Sequence, residues 1–375
     1  MAWFRNVFGF DEETFAQTRR GFTLEAAEDD GVVLVSRANG VRFDVGRFES
    51  PSLAELRGRL ASAGAGAGPG PAAGGLAFAN VVGDVNELHR DPESEGAVFQ
   101  VASQFNCLEM VSPAYRPEDG IAIYKHDKTQ GPACALCCPG ATVFRNYFLG
   151  GKGQAGRRQL NTLRDVEQLL GNRKHKYWEM KNGYCLPTSP WGMAELGERL
   201  AGDEALCAEA RGKLRVGVHW STQVAGCDHR VCQVFCSALP VAYVRSVQPK
   251  DWAPFACAVL DAAYDATLTA AACLARERRA RVTVYLTALG GGSFGNETQW
   301  IVDALAKALR SHSTEALDVK LVHFKSIPDG PFRALDRPSE LKKRPSAADQ
   351  AAGPAKGADP AKRRRLTGKT PSGQP

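Results

Sequence analysis

Three consecutive glycines, Gly290, Gly291 and Gly292, stand between two segments of different character. Residues 284–288 form a short apolar run that is typical of a buried strand, and residues 296–310 carry apolar side chains at helical spacing. A glycine in an ordered segment costs about 0.5–1 kcal/mol relative to alanine, so three in a row need a reason. One reason is a tight structural turn. The other is a bare backbone that lets a phosphate approach the helix N-terminus, and the glycines alone leave both open.

Polar residues follow other apolar runs as well. They are Gly83 and Asp84 after residues 76–82, Ser103, Gln104 and Asn106 after residues 96–102, and the turn-prone residues 127–131 before Pro132. Each segment by itself is typical of an ordinary turn, strand end or helix cap. If all of them meet at one edge of a single sheet, their backbone N–H groups could hold a diphosphate. Asp84 would then suit an exocyclic amine, and Asn106 would suit a ribose.

The chain holds 11 cysteines, and no secretory leader is evident, so we expect a reducing compartment. Two clusters offer the ligand types that zinc prefers: Cys134, Cys137 and Cys138 in one, and Cys227, His229, Cys232 and Cys236 in the other. In a regular strand the last two would lie about 13 Å apart, too far to share one ion. We therefore expect no metal and no cofactor. A zinc- or thiol-dependent hydrolase, pairing Cys227 with His229 or Cys107 with His219, is kept as an alternative.

The elements that must position these residues alternate along the chain. Strands are predicted at residues 76–82, 96–102, 214–220, 231–238, 281–288 and 319–324, and helices from about residue 131 and at 162–170, 193–200, 252–276 and 297–310. This alternation predicts an α/β fold, a parallel or mixed sheet flanked by helices. Ligands in such folds bind at the carboxyl ends of the strands. The longest apolar stretch, residues 252–275, carries two aspartates and predicts a buried helix rather than a membrane span.

Composition divides the chain into four regions. They are a small α+β unit at residues 1–60, a Gly-, Ala- and Pro-rich linker at 61–75, the α/β core at 76–325, and a disordered basic tail at 326–375. Within the first unit, Ser52 and Glu55 predict a capping box at the start of a helix. Within the core, residues 150–210 form a large insertion.

The net charge of +6 lies largely in the tail, so the folded part is near neutral and a nucleic-acid footprint over its whole surface is not indicated. Two basic clusters stand in the tail: Lys342, Lys343 and Arg344, and Lys362, Arg363, Arg364 and Arg365. Their spacing is typical of a bipartite signal for a nuclear import receptor, with a solvated basic tail as the alternative. We expect a nuclear or cytoplasmic protein with no membrane partner.

The polar strand ends resemble motifs of the macrodomain superfamily. Gly83-Asp84-Val85 looks like the Gly-Asp-Ile/Val that opens macrodomains, and residues 101–106 (VASQFN) are similar to their strand ending in Asn-Ala-Ala-Asn. Residues 286–296 (LTALGGGSFGN) resemble the Gly-x-Gly-x-Phe-Gly-Asn loop of the microbial poly(ADP-ribose) glycohydrolase branch. The resemblance covers about residues 76–325 and is specific in this last loop. It implies a macrodomain-like mixed sheet.

The resemblance also implies roles for individual residues. Asp84 would contact the adenine amine and Asn106 the distal ribose of ADP-ribose. The diphosphate would be held by backbone from Thr129, Gln130 and Gly131 through Ala133 on one side. On the other side it would be held by backbone of Gly290, Gly291, Gly292, Ser293, Phe294, Gly295 and Asn296, with the Phe294 ring against the ribose. The paired glutamates of the glycohydrolase motif are absent, so no catalytic carboxylate carries over. Asn106, Asp127 and Glu109 are the local candidates for catalysis, with Glu118 nearby.

We therefore predict a macrodomain-like protein that binds ADP-ribose or a related nucleotide diphosphate, free or on an ADP-ribosylated macromolecule. Two alternatives stay open for its activity. It is either a glycohydrolase that cleaves ADP-ribosyl bonds or a reader that binds the modification without turnover.

Overall fold

A computed structural model describes residues 2–27, 30–64 and 74–336. The strands in these residues are β1 Phe22–Ala26, β2 Val32–Ser36, β3 Arg42–Gly46, β4 Phe48–Glu49, β5 Ala77–Val82, β6 Val98–Ala102, β7 Trp178–Lys181, β8 Tyr184–Pro187, β9 Gly217–Gln223, β10 Arg230–Cys236, β11 Val282–Leu286 and β12 Leu317–His323. The α-helices are α1 Ala2–Phe8, α2 Phe15–Arg20, α3 Leu53–Gly64, α4 Val85–Arg90, α5 Gln130–Cys137, α6 Pro139–Tyr147, α7 Arg164–Leu170, α8 Pro190–Gly202, α9 Glu204–Lys213, α10 Pro249–Arg278 and α11 Thr298–Ser311.

The larger sheet has seven strands in the order β4-β9-β10-β6-β11-β12-β5. Neighbouring strands from β10 to β5 pair in parallel, and β9 pairs antiparallel with both β10 and β4. The predicted mixed α/β sheet flanked by helices is confirmed. Because five strands run in parallel, β5, β6, β10, β11 and β12 end at the same edge. We call this the carboxyl edge.

The long helix α10 covers one face of this sheet. It packs against α3, α8 and α11 as well as against β11. Its length and composition alone would let it cross a membrane, but 83% of its most apolar window is buried inside the protein. The strands meet it with apolar side chains such as Val234 and Val284, which share one core with it. The apolar stretch at residues 252–275 is thus a core helix, as its two aspartates predicted.

A smaller sheet of β1, β2 and β3 stands near the opposite face. Its apolar side packs with α1 and α6 in a second core that includes Phe4, Phe22, Phe43 and Val143. Glu12 joins this unit to the core, because its carboxylate accepts the N–H groups of Ile121 and Ala122 at 2.8 and 2.6 Å. Burial raises the pKa of this carboxyl group. The linked segment leads directly into α5, so the first unit helps to fix that helix.

The first sixty residues also contribute to the main body. β4 pairs with β9 in the larger sheet, and α3 packs on α10. The capping box is formed, with the Ser52 N–H donating to Glu55 at 3.0 Å and the Glu55 N–H to Ser52 at 3.2 Å. The helix runs to Gly64, so the first four residues of the expected linker are helical. Residues 65–73 lie outside the described residues, and the domain boundaries stay predictions.

The segment after residue 326 is ordered for longer than the sequence analysis expected. Pro331–Asp336 forms a 3-10 helix in which Phe332 and Leu335 are buried. The Asn80 side chain on the edge strand β5 donates to the Phe332 carbonyl at 3.0 Å and to Asp336 at 2.8 Å. This helix therefore covers the free edge of the sheet, which explains its apolar residues. The remaining tail, residues 337–375 with both basic clusters, lies outside the described residues.

The insertion at residues 150–210 holds α7, the β7–β8 hairpin, α8 and α9. The sequence predicted α7 and α8 but neither the hairpin nor α9. At the hairpin turn, Asn182 and Gly183 both have left-handed φ angles, of 47° and 81°. This turn reaches back to the core, where the Phe105 N–H donates to the Gly183 carbonyl at 2.9 Å. The insertion thus contacts the segment that follows β6.

Candidate functional site

The N-terminus of α5 lies against the end of β6. The Gln130 side chain accepts from the Ala102 N–H at 2.8 Å and donates to the Gln100 carbonyl at 2.7 Å. It thus makes the backbone hydrogen bonds that a neighbouring strand would otherwise make with this end of β6. Just before the helix, Asp127 accepts from the Thr129 N–H at 2.8 Å. Gln130, predicted as a ligand contact, therefore uses its side chain for structure and has only its backbone left for a ligand.

Gly131 is the residue that lets this helix come so close. A Cβ at this position would collide with the Ala102 carbonyl oxygen and would lie 3.3 Å from Glu109 Cγ. The N–H groups of Gln130 and Gly131, in the first turn of α5, have no acceptor in the described residues. Such groups at a helix N-terminus attract anions.

The three glycines after β11 differ from one another. Gly290 has a left-handed φ of 75°, and a Cβ there would lie 2.5 Å from Ala238 Cβ, so this glycine is needed for the turn. A Cβ on Gly291 would lie 3.0 Å from Ile301, which is tight but adjustable. A Cβ on Gly292 would meet nothing within 4 Å. Of the three glycines, only Gly292 could therefore carry a side chain without a packing conflict.

Asn296 closes this loop. Its N–H donates to the Gly290 carbonyl at 2.9 Å, and its side-chain amide donates to the Leu239 carbonyl at 2.8 Å. The residue is buried, so its predicted contact with a ligand would be indirect. Between the two ends, Gly292, Ser293 and Phe294 have N–H groups that meet no acceptor in the part of the chain that the structure describes. Gly295 closes the tip by donating to the Gly292 carbonyl at 3.0 Å.

Three aromatic rings from separate segments support the tip of the loop. The centroid of Phe294 lies 5.5 Å from that of Tyr184 on β8 and 5.7 Å from that of Tyr243, and the two tyrosine rings are 5.5 Å apart. The Tyr184 hydroxyl donates to the Met110 carbonyl at 2.7 Å, and burial raises its pKa. Sequence reasoning missed both tyrosines, because nothing local in the chain connects them to the glycines.

Asp84 lies at the end of β5 and caps α4. One of its oxygens, Oδ1, accepts from the N–H and the side chain of Asn86, each at 2.8 Å. The neighbouring strand β12 is tied to it, because the Gly83 N–H donates to the His323 carbonyl at 3.0 Å. Phe324 follows directly and is 67% exposed, and Val82 beside it is 53% exposed. The sequence analysis predicted Phe324 only as the end of a strand, and it did not predict that the ring is exposed at this edge.

Asn106 has a different environment from the one that the resemblance implies. Its side chain is fully buried, donating to Gln159 at 3.0 Å and accepting from the Leu108 N–H at 3.1 Å. Gly183 of the hairpin turn lies directly on it, since a Cβ there would be 2.5 Å from the Asn106 Oδ1 atom. The chain's own insertion therefore occupies the space around Asn106.

Glu109 is also fully buried and lies beside Arg145, with 3.4 Å between the guanidinium and each carboxylate oxygen. Burial raises the pKa of Glu109 to about 7, and the charge of Arg145 opposes this shift only in part. The Arg145 guanidinium also lies 3.7 Å from the centroid of the Phe235 ring. A ligand has no direct access to this carboxyl group.

Asp127 is the predicted catalytic carboxylate that stays partly exposed. Burial and Tyr243 raise the pKa of the Tyr184 phenol, and the charge of Asp127 adds a smaller contribution. Glu118, by contrast, accepts from the Gly156 N–H at 2.6 Å and supports the start of the insertion. The structure thus brings Asp127, Thr129, Gly131 and the glycine loop to the carboxyl edge, together with Asp84. It leaves Asn106 and Glu109 inside the core.

Cys137, Cys138 and Cys227 of the two predicted clusters pack in one small apolar cluster. Among the described residues, no group of three or more His, Cys, Asp or Glu could hold a metal ion. Cys107 and His219 are fully buried, and burial raises the pKa of the Cys107 thiol and lowers the pKa of the His219 imidazole. Burial thus disfavours the thiolate and imidazolium ions that a cysteine–histidine nucleophile pair uses. His229 contacts the His89 carbonyl at 2.7 Å instead of Cys227.

Neither a protein-family model nor a curated protein matches this chain. Among solved structures, the chain is similar to poly(ADP-ribose) glycohydrolase from Deinococcus radiodurans in complex with ADP-ribose, with 10% identity, 79% of this chain and 94% of that chain covered, and a TM-score of 0.37. It is also similar to poly(ADP-ribose) glycohydrolase from Thermomonospora curvata bound to the inhibitor ADP-HPD, with 11% identity, 86% and 95% covered, and a TM-score of 0.34.

Proposed function

We propose that this protein binds ADP-ribose or a related nucleotide diphosphate at the carboxyl edge of its larger sheet. The observation that carries the proposal is a set of backbone N–H groups with no acceptor in the described residues. Gln130 and Gly131 offer theirs at the start of α5, and Gly292, Ser293 and Phe294 offer theirs in the glycine loop. Two linked phosphates need several donors at close range, and the helix N-terminus adds partial positive charge. The diphosphate would lie between the two loops.

The nucleoside would lie toward β5 and β12. Asp84 uses its Oδ1 atom for Asn86, which leaves Oδ2 as an acceptor for an exocyclic amine such as that of adenine. The exposed ring of Phe324 stands at the neighbouring strand end and offers a surface on which a base can stack. An amine acceptor and an aromatic surface together favour adenine over a pyrimidine without an amine.

The opposite end of the site favours binding over cleavage. By the resemblance, Asn106 would face the distal ribose, the sugar that carries the bond to be cleaved. Here Gln159 and Gly183 fill that space, and the buried Glu109 is held by Arg145. We therefore infer a reader of the nucleotide diphosphate, whose affinity comes mainly from the adenosine and the two phosphates.

Hydrolysis of an ADP-ribosyl bond is the second candidate, and Asp127 is the observation that favours it. This carboxylate is partly exposed, precedes α5 and lies near Tyr184 beside the glycine loop. Protonation of a leaving oxygen needs such a group within reach. Release of ADP-ribose from an ADP-ribosylated protein, lost in Asp127→Asn, would establish turnover. If the wild-type chain releases no ADP-ribose, hydrolysis is excluded and binding without turnover remains as the proposed function.

The first test is calorimetric titration of the full chain with ADP-ribose and with ADP. We expect micromolar binding of both, with affinities within about threefold, because the distal ribose adds few contacts. In Gly292→Val the affinity should fall by more than tenfold, since the new side chain stands in open space where the phosphates would lie. Gly202→Val is the matched control, because a Cβ there also meets nothing within 4 Å.

Three outcomes separate the hypotheses. If the wild-type chain binds neither ligand, the nucleotide assignment is wrong. If Gly292→Val binds as tightly as Gly202→Val, the glycines serve only the turn. If ADP-ribose binds far more tightly than ADP, the distal ribose is recognised after all, and hydrolysis becomes the stronger candidate.

A further inference from the structure

The insertion presents a tryptophan to solvent at the start of α8. Trp191 is 85% exposed, more than any other large apolar side chain among the described residues. It follows Pro190 at the first helical position, and Ser189 caps the helix by accepting from the Gly192 N–H at 3.0 Å. A fixed helix turn therefore holds an indole ring in water. This exposure is unfavourable in isolation, and Trp is a residue type that recurs in binding surfaces.

A loop with four basic residues runs beside this ring. We call Arg173, Lys174, His175 and Lys176 the basic loop. Lys174 and His175 both have left-handed φ angles, of 54° and 56°, which costs energy for residues other than glycine. Hydrogen bonds hold the strained segment: Asn172 accepts from the Tyr177 N–H at 2.8 Å, and Thr188 donates to the His175 carbonyl at 2.7 Å.

The basic loop and Trp191 form one surface. Gly192, next to Trp191, packs on the loop so closely that a Cβ there would lie 2.8 Å from the Lys176 carbonyl oxygen. Lys176 is neutralised by Glu195, one helical turn after Trp191. Arg173 and Lys174, in contrast, are exposed and make no ion pair within the described residues. Two unpaired positive charges thus stand near an exposed aromatic ring.

We propose that Trp191 and the basic loop form a binding site for single-stranded nucleic acid. The indole ring would stack on one base, while Arg173 and Lys174 would neutralise the neighbouring phosphates, the combination that single strands require. An anionic membrane fits less well, because the other exposed large apolar residues, such as Leu24 and Phe324, lie outside the insertion. One ring with flanking cations matches a base with its phosphates.

This site is separate from the one at the carboxyl edge. The β7–β8 hairpin stands between them: its turn covers Asn106, while the basic loop precedes β7 and α8 follows β8. Four strand residues span about 13 Å. The proposal therefore does not depend on the binding of ADP-ribose.

The test is titration of the full chain with a fluorescein-labelled single-stranded DNA 12-mer of mixed sequence, followed by anisotropy and by tryptophan fluorescence. We expect Trp191→Ala to weaken binding about 5- to 100-fold, the usual effect of removing a stacking ring. Arg173→Ala/Lys174→Ala should weaken it at least tenfold and reduce the slope of log Kd against log salt by about 1.4, for two lost phosphate contacts. Arg20→Ala/Arg37→Ala removes two neighbouring exposed arginines elsewhere and should change affinity less than twofold.

The basic tail also attracts polyanions, so one readout must report on the patch alone. Stacking on Trp191 should quench tryptophan fluorescence in the wild-type chain, and the Trp191→Phe variant should lose that quenching while it retains most of the affinity. The proposal is wrong if the 12-mer leaves tryptophan fluorescence unchanged, or if the Trp191 and basic-loop variants bind like the Arg20→Ala/Arg37→Ala control. Poly-glutamate binding with equal affinity, independent of Trp191, would likewise overturn it.

Discussion

The buried carboxyl group of Glu109 makes stability depend on pH. Its pKa in the folded chain is about 7, above an ordinary value of 4.5, because burial disfavours the charged form. Its stabilising contribution is therefore fully present below pH 4.5 and is lost as the pH rises through 7. The shift corresponds to roughly 3 kcal/mol. Urea unfolding between pH 5 and 8 should show a decline in the wild-type chain that Glu109→Gln lacks, and parallel curves would contradict the assignment.

Phe324 should contribute to nucleotide affinity but little to stability. The side chain is 67% exposed, so Phe324→Ala removes few packing contacts and should change the unfolding free energy by about 0.5 kcal/mol or less. If its ring stacks on the base, the affinity for ADP should fall about 5- to 100-fold, as for other base–aromatic contacts. Tyr115→Ala, which removes another partly exposed ring, is the control. Equal affinities in the two variants would place the base elsewhere.

Single residues differ in how far the sequence alone reveals their roles. Asp84 was recognisable because it follows an apolar run, and the ends of parallel strands meet at one edge. Gly131 was recognisable from the turn-prone residues before Pro132. The burial of Asn106 could not be recognised from the sequence, because Gln159 and Gly183, which cover it, come from an insertion more than fifty residues further on. The same holds for the exposed ring of Phe324, since exposure depends on which segments of the whole chain leave it uncovered.

At the scale of elements, the position of α5 depends on one glycine. Gly131→Ala would place a Cβ against the Ala102 carbonyl oxygen and force the helix away from β6, which should cost about 1–3 kcal/mol or more. Gly58→Ala in α3 is the matched change, because a Cβ there meets nothing within 4 Å. It should stabilise the chain by about 0.5–1 kcal/mol through helix propensity. Chemical denaturation of both variants checks this, and two effects of the same sign would be inconsistent with the packing described.

Elements were predictable from sequence where they are long or buried on a regular pattern. The strands β5, β6, β10, β11 and β12 and the helices α10 and α11 all lie within a few residues of the predicted spans. β4 has only two residues, which no periodicity can reveal, and it exists because β9 offers it an edge. The β7–β8 hairpin was hidden by short strands with no regular alternation, and it is the element that changes the site most.

The charge of the whole molecule is divided unequally. Residues 337–375 contain ten Lys and Arg and three Asp and Glu, so residues 1–336 carry a net charge of −1. Nucleotide binding at the carboxyl edge therefore depends on oriented backbone N–H groups rather than on overall positive charge. The tail, in contrast, is strongly basic. Functions that depend on its positive charge should therefore be separable from nucleotide binding by the described residues.

The basic tail also bears on where in the cell the protein is located. We propose that the two basic clusters act together as a nuclear import signal. With Lys342, Lys343, Arg344, Lys362, Arg363, Arg364 and Arg365 all changed to Gln, a fluorescent fusion of the full chain should lose nuclear accumulation and retain its affinity for ADP-ribose. Changing either cluster alone should also abolish most of the nuclear accumulation, because a bipartite signal needs both. Nuclear accumulation that persists without either cluster would show that the tail is only a solvated basic segment.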